Sequence, residues 1–232
     1  MRQASIKIHL QALSELVPFS RADFADLKSF HHAKTQTIHQ QRLHLLNQYL
    51  QNPTDAEACA QHDDAIARHP VLAAEDLART SHGKPYLPNH PELAFNHSHS
   101  QQHYALAVSN SVQDLGVDLE DLGRNVRFDA LAQHAFDADE YAHWQACGQD
   151  PIYWFKVWTA KEAILKASGL GIRMSLNQLH TGCSPAQDQG RCTHVNLGDF
   201  CFQHIQTDAV MLTVAWRVGE GIDWPTLMLT GY

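Results

Sequence analysis

Two stretches of this chain carry residues whose types and spacing suit phosphate chemistry. In Leu115–Glu120, strand alternation puts Asp118 and Glu120 on one face and Val117 and Leu119 on the other. Two carboxylates side by side on a half-buried strand repel each other unless a cation sits between them, which marks a candidate hard-metal site. Downstream, Glu162 and Lys166 stand one helical turn apart, beside Lys161 and a side formed by Trp154, Trp158 and Leu165. Asp118, Glu120 and Glu162, from a strand and a helix, can meet at one Mg²⁺. That ion prefers a few carboxylates plus substrate phosphates to a full protein cage. Gly83-Lys84-Pro85 and Ser98-His99 supply the other half, donors and positive charge for phosphate oxygens. Each piece also has a plainer meaning. Glu162 with Lys166 is equally an exposed i, i+4 pair stabilising a helix by about 0.2–0.5 kcal/mol, and Asp-x-Glu strands and Gly-Lys-Pro turns are common. Their order along the chain singles them out.

The elements that must position these residues follow from periodicity and punctuation. Residues 154–168 combine good helix formers with a Gly169-Leu170-Gly171 ending, a helix with a glycine C-cap. Helices are expected in three pieces over residues 127–168, broken near Asp137 and at Asp150-Pro151. Asp137 with Glu140 makes a start of the capping-box type. Strands are expected at Ile6–Leu10, Leu93–Asn96, Tyr104–Ser109, Leu115–Glu120, Gly198–Gln206 and Val210–Val218, with an apolar piece near Leu227–Leu229. The polar turn between Tyr104–Ser109 and Leu115–Glu120 suggests a hairpin. Residues 21–50 read as helix, with Leu43, Leu46, Leu50 and a basic Arg42, and residues 51–64 as a polar, acidic loop. The result is an α+β chain with its seam near residue 112, one half over residues 1–112 and the other over residues 113–232.

Composition narrows the function. The 232 residues are 44% hydrophobic, enough for a sizeable core, and the formal net charge of -8 argues against general nucleic-acid binding. No stretch reaches the length of a membrane span, and the first residues lack a signal-peptide run, so the expected location is cytoplasmic. Five scattered cysteines suit reduced thiols better than a disulfide framework. Seventeen histidines make the charge sensitive to mild acid.

From about residue 79 to residue 180 the chain resembles the Sfp-type 4'-phosphopantetheinyl transferases. The resemblance rests on Gly83-Lys84-Pro85, Phe95-Asn96-His97-Ser98-His99-Ser100, Gly116-Val117-Asp118-Leu119-Glu120, and Phe136 with Glu140. It ends in Trp158-Thr159-Ala160-Lys161-Glu162-Ala163-Ile164-Leu165-Lys166 with Gly169-Leu170-Gly171, in the family's order and approximate spacing. Before residue 79 only a helix bearing Arg42 is similar. The resemblance implies transfer of the 4'-phosphopantetheine arm of coenzyme A to a serine of an apo acyl or peptidyl carrier protein, with release of adenosine 3',5'-bisphosphate. It also implies a monomer of two similar α+β halves, with coenzyme A in the cleft between them. On this basis Asp118, Glu120 and Glu162 hold Mg²⁺. Lys84, Ser98 and His99 bind coenzyme A phosphates, Gly83 and Pro85 shape the adenine-side turn, and Arg42 reaches the 3'-phosphate.

Residue chemistry assigns further roles. Glu162 is the base for the incoming serine and Lys166 neutralises charge on the pyrophosphate, while Lys161 either does the same or is solvated. Trp158 is assigned to packing. Glu140 is a cap, a lysine's ion-pair partner or a remote part of the site. Carriers of this kind are acidic like this chain, so docking is expected on a local patch over Arg124–Phe136 that includes Arg127 and Phe128.

Three competing readings are open. His97 stands where the family has an aliphatic residue, and His97, His99 and Asp118 together would suit a metal-dependent hydrolase. His180, Cys183, Cys192, His194, Cys201 and His204 offer a structural zinc set without regular spacing. A catalytically dead coenzyme A-binding homologue would keep the fold alone.

Overall fold

A computed structural model describes residues 4–51, 71–170, 174–219 and 224–231. Its elements are β1 (Ser5–Ala12), α1 (Leu13–Leu16), α2 (Leu27–Gln51), β2 (Ala78–Arg79), β3 (Pro85–Tyr86), β4 (Ala94–His99), β5 (His103–Ser109) and β6 (Gly116–Asp121), then α3 (Phe128–Ala135), α4 (Ala138–Ala146), α5 (Pro151–Ser168), β7 (Gln189–His194), β8 (Gly198–Gln206), β9 (Val210–Arg217) and β10 (Thr226–Thr230). The chain is α+β, with two four-stranded sheets in the orders β10-β1-β5-β4 and β6-β9-β8-β7.

Apolar alternation explains how the sheets stack. Ile6, Ile8 and Leu10 of β1 and Ala105 and Ala107 of β5 meet Val117 and Leu119 of β6 and Leu212, Val214 and Trp216 of β9 in a shared core. The other face of the first sheet (Phe95, Tyr104, Leu106, Val108) is covered by Ile38 and Leu46 of α2. The other face of the second (Phe200, Phe202, Ala215) is covered by Ala160, Ala163, Ile164 and Ala167 of α5. Among the described residues no helix is long and apolar enough to cross a membrane.

The helices start and stop where their caps dictate. Asp150 accepts from the backbone N–H groups of Ile152 and Tyr153 with Pro151 at the first turn, and Gly169 closes α5 at φ 73°. The break before α4 is a capping box between Asp137 and Glu140. Gly116 is required by contact: a Cβ there would lie 2.1 Å from the Ala163 carbonyl oxygen, so β6 runs directly against α5.

Two expectations are corrected. Tyr104–Ser109 and Leu115–Glu120 do not form a hairpin. Both edges of β5 are taken by β1 and β4, so β6 crosses to the second sheet and pairs with β9. The tight turn instead joins β4 and β5, which makes Ser98 and His99 strand residues. The division at residue 112 also does not hold to the end of the chain, because β10 returns to pair in parallel with β1. Most of the expected loop over residues 51–64 lies outside the described residues, although Gln51 closes α2.

Candidate active site

The candidate site lies where β4 of the first sheet meets β6 of the second, above α5. Asn96 and Ser98 point from β4 toward β6: Asn96 accepts from the Val117 N–H at 3.0 Å, and Ser98 donates to Asp118 at 2.9 Å. From α5, Lys166 reaches the same point. Its Nζ donates to Asp118 Oδ1 at 2.6 Å, to Ser98 Oγ at 2.8 Å and to the Val117 carbonyl at 3.2 Å, with 29% of the side chain exposed. The middle of α5 is buried on nearly every side. Trp158, Glu162 and Lys166, four residues apart, form its half-buried stripe, and this stripe faces the seam.

Electrostatics at the seam are one-sided. Glu120 is paired with Arg124 at 2.8 Å. Burial nevertheless pushes its pKa up to about 7, helped by the charge on Asp118 and opposed by Arg124, by a hydrogen bond from Trp158 and by Lys166. Glu162 is raised by the same two causes in the same order, burial and then Asp118, with Lys166 opposing. Asp118 therefore faces both glutamates. Its Oδ2 is buried and has no hydrogen-bond partner. Excess negative charge and an orphaned carboxylate oxygen fit a hard divalent cation. The three carboxylates are nonetheless not drawn tightly together. Among the described residues, the side chains with ligand atoms within 4.8 Å of one another are Asp137, Asp139 and His180. Lys166 is paired with Asp118 and Arg124 with Glu120.

The residues expected to contact phosphate are placed as follows. Gly83 adopts φ 87°, which turns the β2–β3 hairpin so that Lys84 and Pro85 follow directly. Lys84 Nζ caps the end of α5 through the Ala167 carbonyl at 2.6 Å, and desolvation lowers its pKa to about 8. His99 ends β4 at the surface, its pKa lowered by desolvation and by Lys34. Arg42 is 4% exposed, an arginine in the apolar stripe of α2. It bonds to His97 Nε2 at 2.7 Å and His39 Nδ1 at 2.6 Å, and its Nε has no partner.

Several expectations change here. Lys161 is neither solvated nor at the seam. It is fully buried, paired with Glu140 Oε2 at 2.6 Å and bonded to the carbonyls of Leu176 and Leu179. Glu140 is therefore both cap and ion-pair partner. Trp158 stacks on Trp154 at 5.1 Å and also bonds Glu120, a role at the site that a tryptophan four residues before Glu162 signalled. Arg124 is paired with Glu120, while Arg127 of the segment expected to dock the carrier is exposed. Phe128 packs on Trp154 and Phe155.

The hydrolase constellation does not assemble. His97 points from β4 to Arg42 on α2, on the face opposite the one where Ser98 meets Asp118, and burial drives its pKa to about 3. Nor does the zinc set gather: His180 pairs with Asp137, Cys192 donates to the His180 carbonyl, and Cys183 lies 3.7 Å from His204. A cavity of about 280 Å³ lined by Lys7, Leu45, Tyr49 and Leu106 lies between α2 and the first sheet, away from Asp118.

Comparison with known proteins finds a family model, the 4'-phosphopantetheinyl transferase superfamily, matching residues 114–214. A 4'-phosphopantetheinyl transferase of Bacillus subtilis is 33% identical over 98 residues, covering 41% of this chain and 42% of that one. The 4'-phosphopantetheinyl transferase HetI of a Nostoc species is 36% identical over 112 residues, 46% of each chain. The 4'-phosphopantetheinyl transferase Sfp of Bacillus subtilis strain 168 is 30% identical over 116 residues, 48% of this chain and 50% of that one. The chain spans half or less of the length of these relatives.

Proposed function

We propose, since residues 114–214 match the 4'-phosphopantetheinyl transferase superfamily model, that this chain transfers the 4'-phosphopantetheine arm of coenzyme A to a serine of an apo acyl or peptidyl carrier protein. Adenosine 3',5'-bisphosphate is the leaving product. The observation that carries this reading is the seam itself. Asp118, with its orphaned Oδ2, lies between two glutamates of raised pKa and one partly exposed lysine.

Asp118, Glu120 and Glu162 would hold Mg²⁺. When bound, the ion supplies Lewis acidity that spreads charge over non-bridging phosphate oxygens. The other work belongs to the protein. Glu162, partly exposed on the open stripe of α5, takes the proton of the carrier serine. Its raised pKa suits that role, because a more basic carboxylate accepts a proton more readily. Lys166 neutralises charge on the pyrophosphate, held in place by Asp118, Ser98 and Val117. Lys84, Ser98 and His99 line the phosphate path, and Gly83 and Pro85 set the turn that presents Lys84. Arg42 is left out of this phosphate path, because it is buried against His97 and His39 on the face of β4 opposite Ser98. The protein acts as a monomer in the cytoplasm, with Arg127 on its carrier-docking segment.

The test is intact mass spectrometry of an apo acyl carrier protein and an apo peptidyl carrier protein, each mixed with this protein, coenzyme A and Mg²⁺, with an EDTA control. A gain of one phosphopantetheine that EDTA abolishes is expected on at least one carrier, and no gain on either overturns the reading. Coenzyme A binding without transfer would mark a degenerate binder.

A further inference from the structure

Lys161 has no hydrogen to offer a substrate. Its ammonium carries three N–H donors, and the three acceptors around it are Glu140 Oε2, the Leu176 carbonyl and the Leu179 carbonyl. Glu140 is closed in the same way. Oε1 accepts from the Thr181 N–H at 2.8 Å and the Thr181 hydroxyl at 2.6 Å, and Oε2 accepts from the Asp137 N–H at 3.1 Å as well as from Lys161. Both residues are at most 2% exposed. The pair thereby joins three separate pieces of chain: the start of α4, the segment over residues 176–181, and the middle of α5.

Glu162 follows Lys161 directly, about 100° further round the helix. Fixing the direction of Lys161 therefore fixes the direction of Glu162 toward the seam. Ala160, Ala163, Ile164, Leu165 and Ala167 pack the rest of this part of α5 through contacts without direction, whereas the buried ion pair and its hydrogen bonds fix an angle. We infer that Lys161 and Glu140 form a positioning pair that sets the rotation of α5, so that turnover depends on a lysine that never touches substrate. The kinetic part of this inference rests on the proposed transferase reading.

The test compares wild type, Lys161→Met and the double variant Glu140→Gln with Lys161→Met. The single variant leaves Glu140 as a buried unpaired charge, and its Tm should fall by about 10 °C. In the double variant the glutamine oxygen still accepts from Thr181 and its NH₂ offers a donor toward the bared carbonyls, at the cost of the bond from the Asp137 N–H, so about half of that loss should return. Positioning predicts that kcat of the double variant stays at least tenfold below wild type, with the KM for coenzyme A within twofold. A kcat that recovers in step with Tm overturns the inference, as does a raised KM with unchanged Tm and kcat. Amide hydrogen exchange over residues 160–166, without substrate and well below each Tm, gives a readout independent of activity. Exchange in the double variant should exceed wild type at least tenfold, and equal exchange overturns the inference even if wild type transfers nothing, a result that would sink only the transferase reading.

Discussion

Of the three lysine–carboxylate pairs on α5, two have opposite character. Lys161 with Glu140 is dry and saturated, every donor and acceptor matched. Lys166 with Asp118 is partly exposed and incompletely satisfied: the ammonium also has three acceptors, but one carboxylate oxygen lacks a partner and two further glutamates are nearby. The same residue types, five positions apart, thus serve fold and site respectively. The difference teaches that satisfaction, rather than charge, separates a structural ion pair from a reactive one. A saturated pair has nothing left to give a ligand. An unsaturated pair in a half-buried place is stable only if a ligand completes it.

The comparison is broken most severely at its open end. Asp118→Asn or Glu162→Gln should lower kcat about 10²–10⁴-fold, with Tm changed by only about 3 °C. Initial rates of carrier modification and calorimetry check both halves. Near-normal turnover in either variant would remove the site from the seam. Next comes a pair of variants that sharpens the contrast. Lys161→Met should cost about 3–5 kcal/mol of stability. Lys166→Met, whose lysine is partly solvated, should leave Tm within about 3 °C while kcat falls about tenfold or more. Equal Tm losses would mean that both pairs are structural.

The pH profile follows from the raised carboxylates. In the metal-free protein Glu120 is raised to about 7 and Glu162 above its ordinary value, and both must be ionised to hold Mg²⁺, so Mg²⁺ affinity should fall as pH drops below about 7. Arg124→Gln, by removing a charge that opposes the rise, should move this limb to higher pH. A limb left unmoved would mean that Glu120 does not control it.

The smallest effect concerns stability in the presence of EDTA. The folded pKa of Glu120 lies above its ordinary value of 4.5, so the folded state holds a proton that the unfolded chain releases between about 4.5 and 7. Stability is therefore lost as pH rises through that window. Glu120→Gln removes the loss and should raise Tm by a few degrees at pH 8 and by less at pH 5. A gain equal at both pH values would contradict the assigned titration.

Much of this was legible before any coordinate. Asp118 and Glu120 on one strand face, Glu162 and Lys166 on one helix turn, and the caps at Asp137, Asp150 and Gly169 all depend on spacing within a single element. Backbone geometry fixes such spacing locally. The hairpin expectation failed because strand pairing depends on which edges are already taken, and β1, about one hundred residues upstream, holds one edge of β5.

The sequence by itself determined the element types, the candidate carboxylates and lysines, and the family resemblance that the match over residues 114–214 then bore out. Tertiary structure alone decided which lysine faces the seam. Lys161 and Lys166 have the same chemistry, and both lie within one turn of Glu162. What separates them is the surroundings: the Leu176 and Leu179 carbonyls and Glu140 for one, and Asp118, Ser98 and the Val117 carbonyl at a partly exposed position for the other. Those partners come from 15 to 68 residues away in sequence. A buried ammonium is tolerated only where distant chain brings it enough acceptors, and no local spacing encodes that.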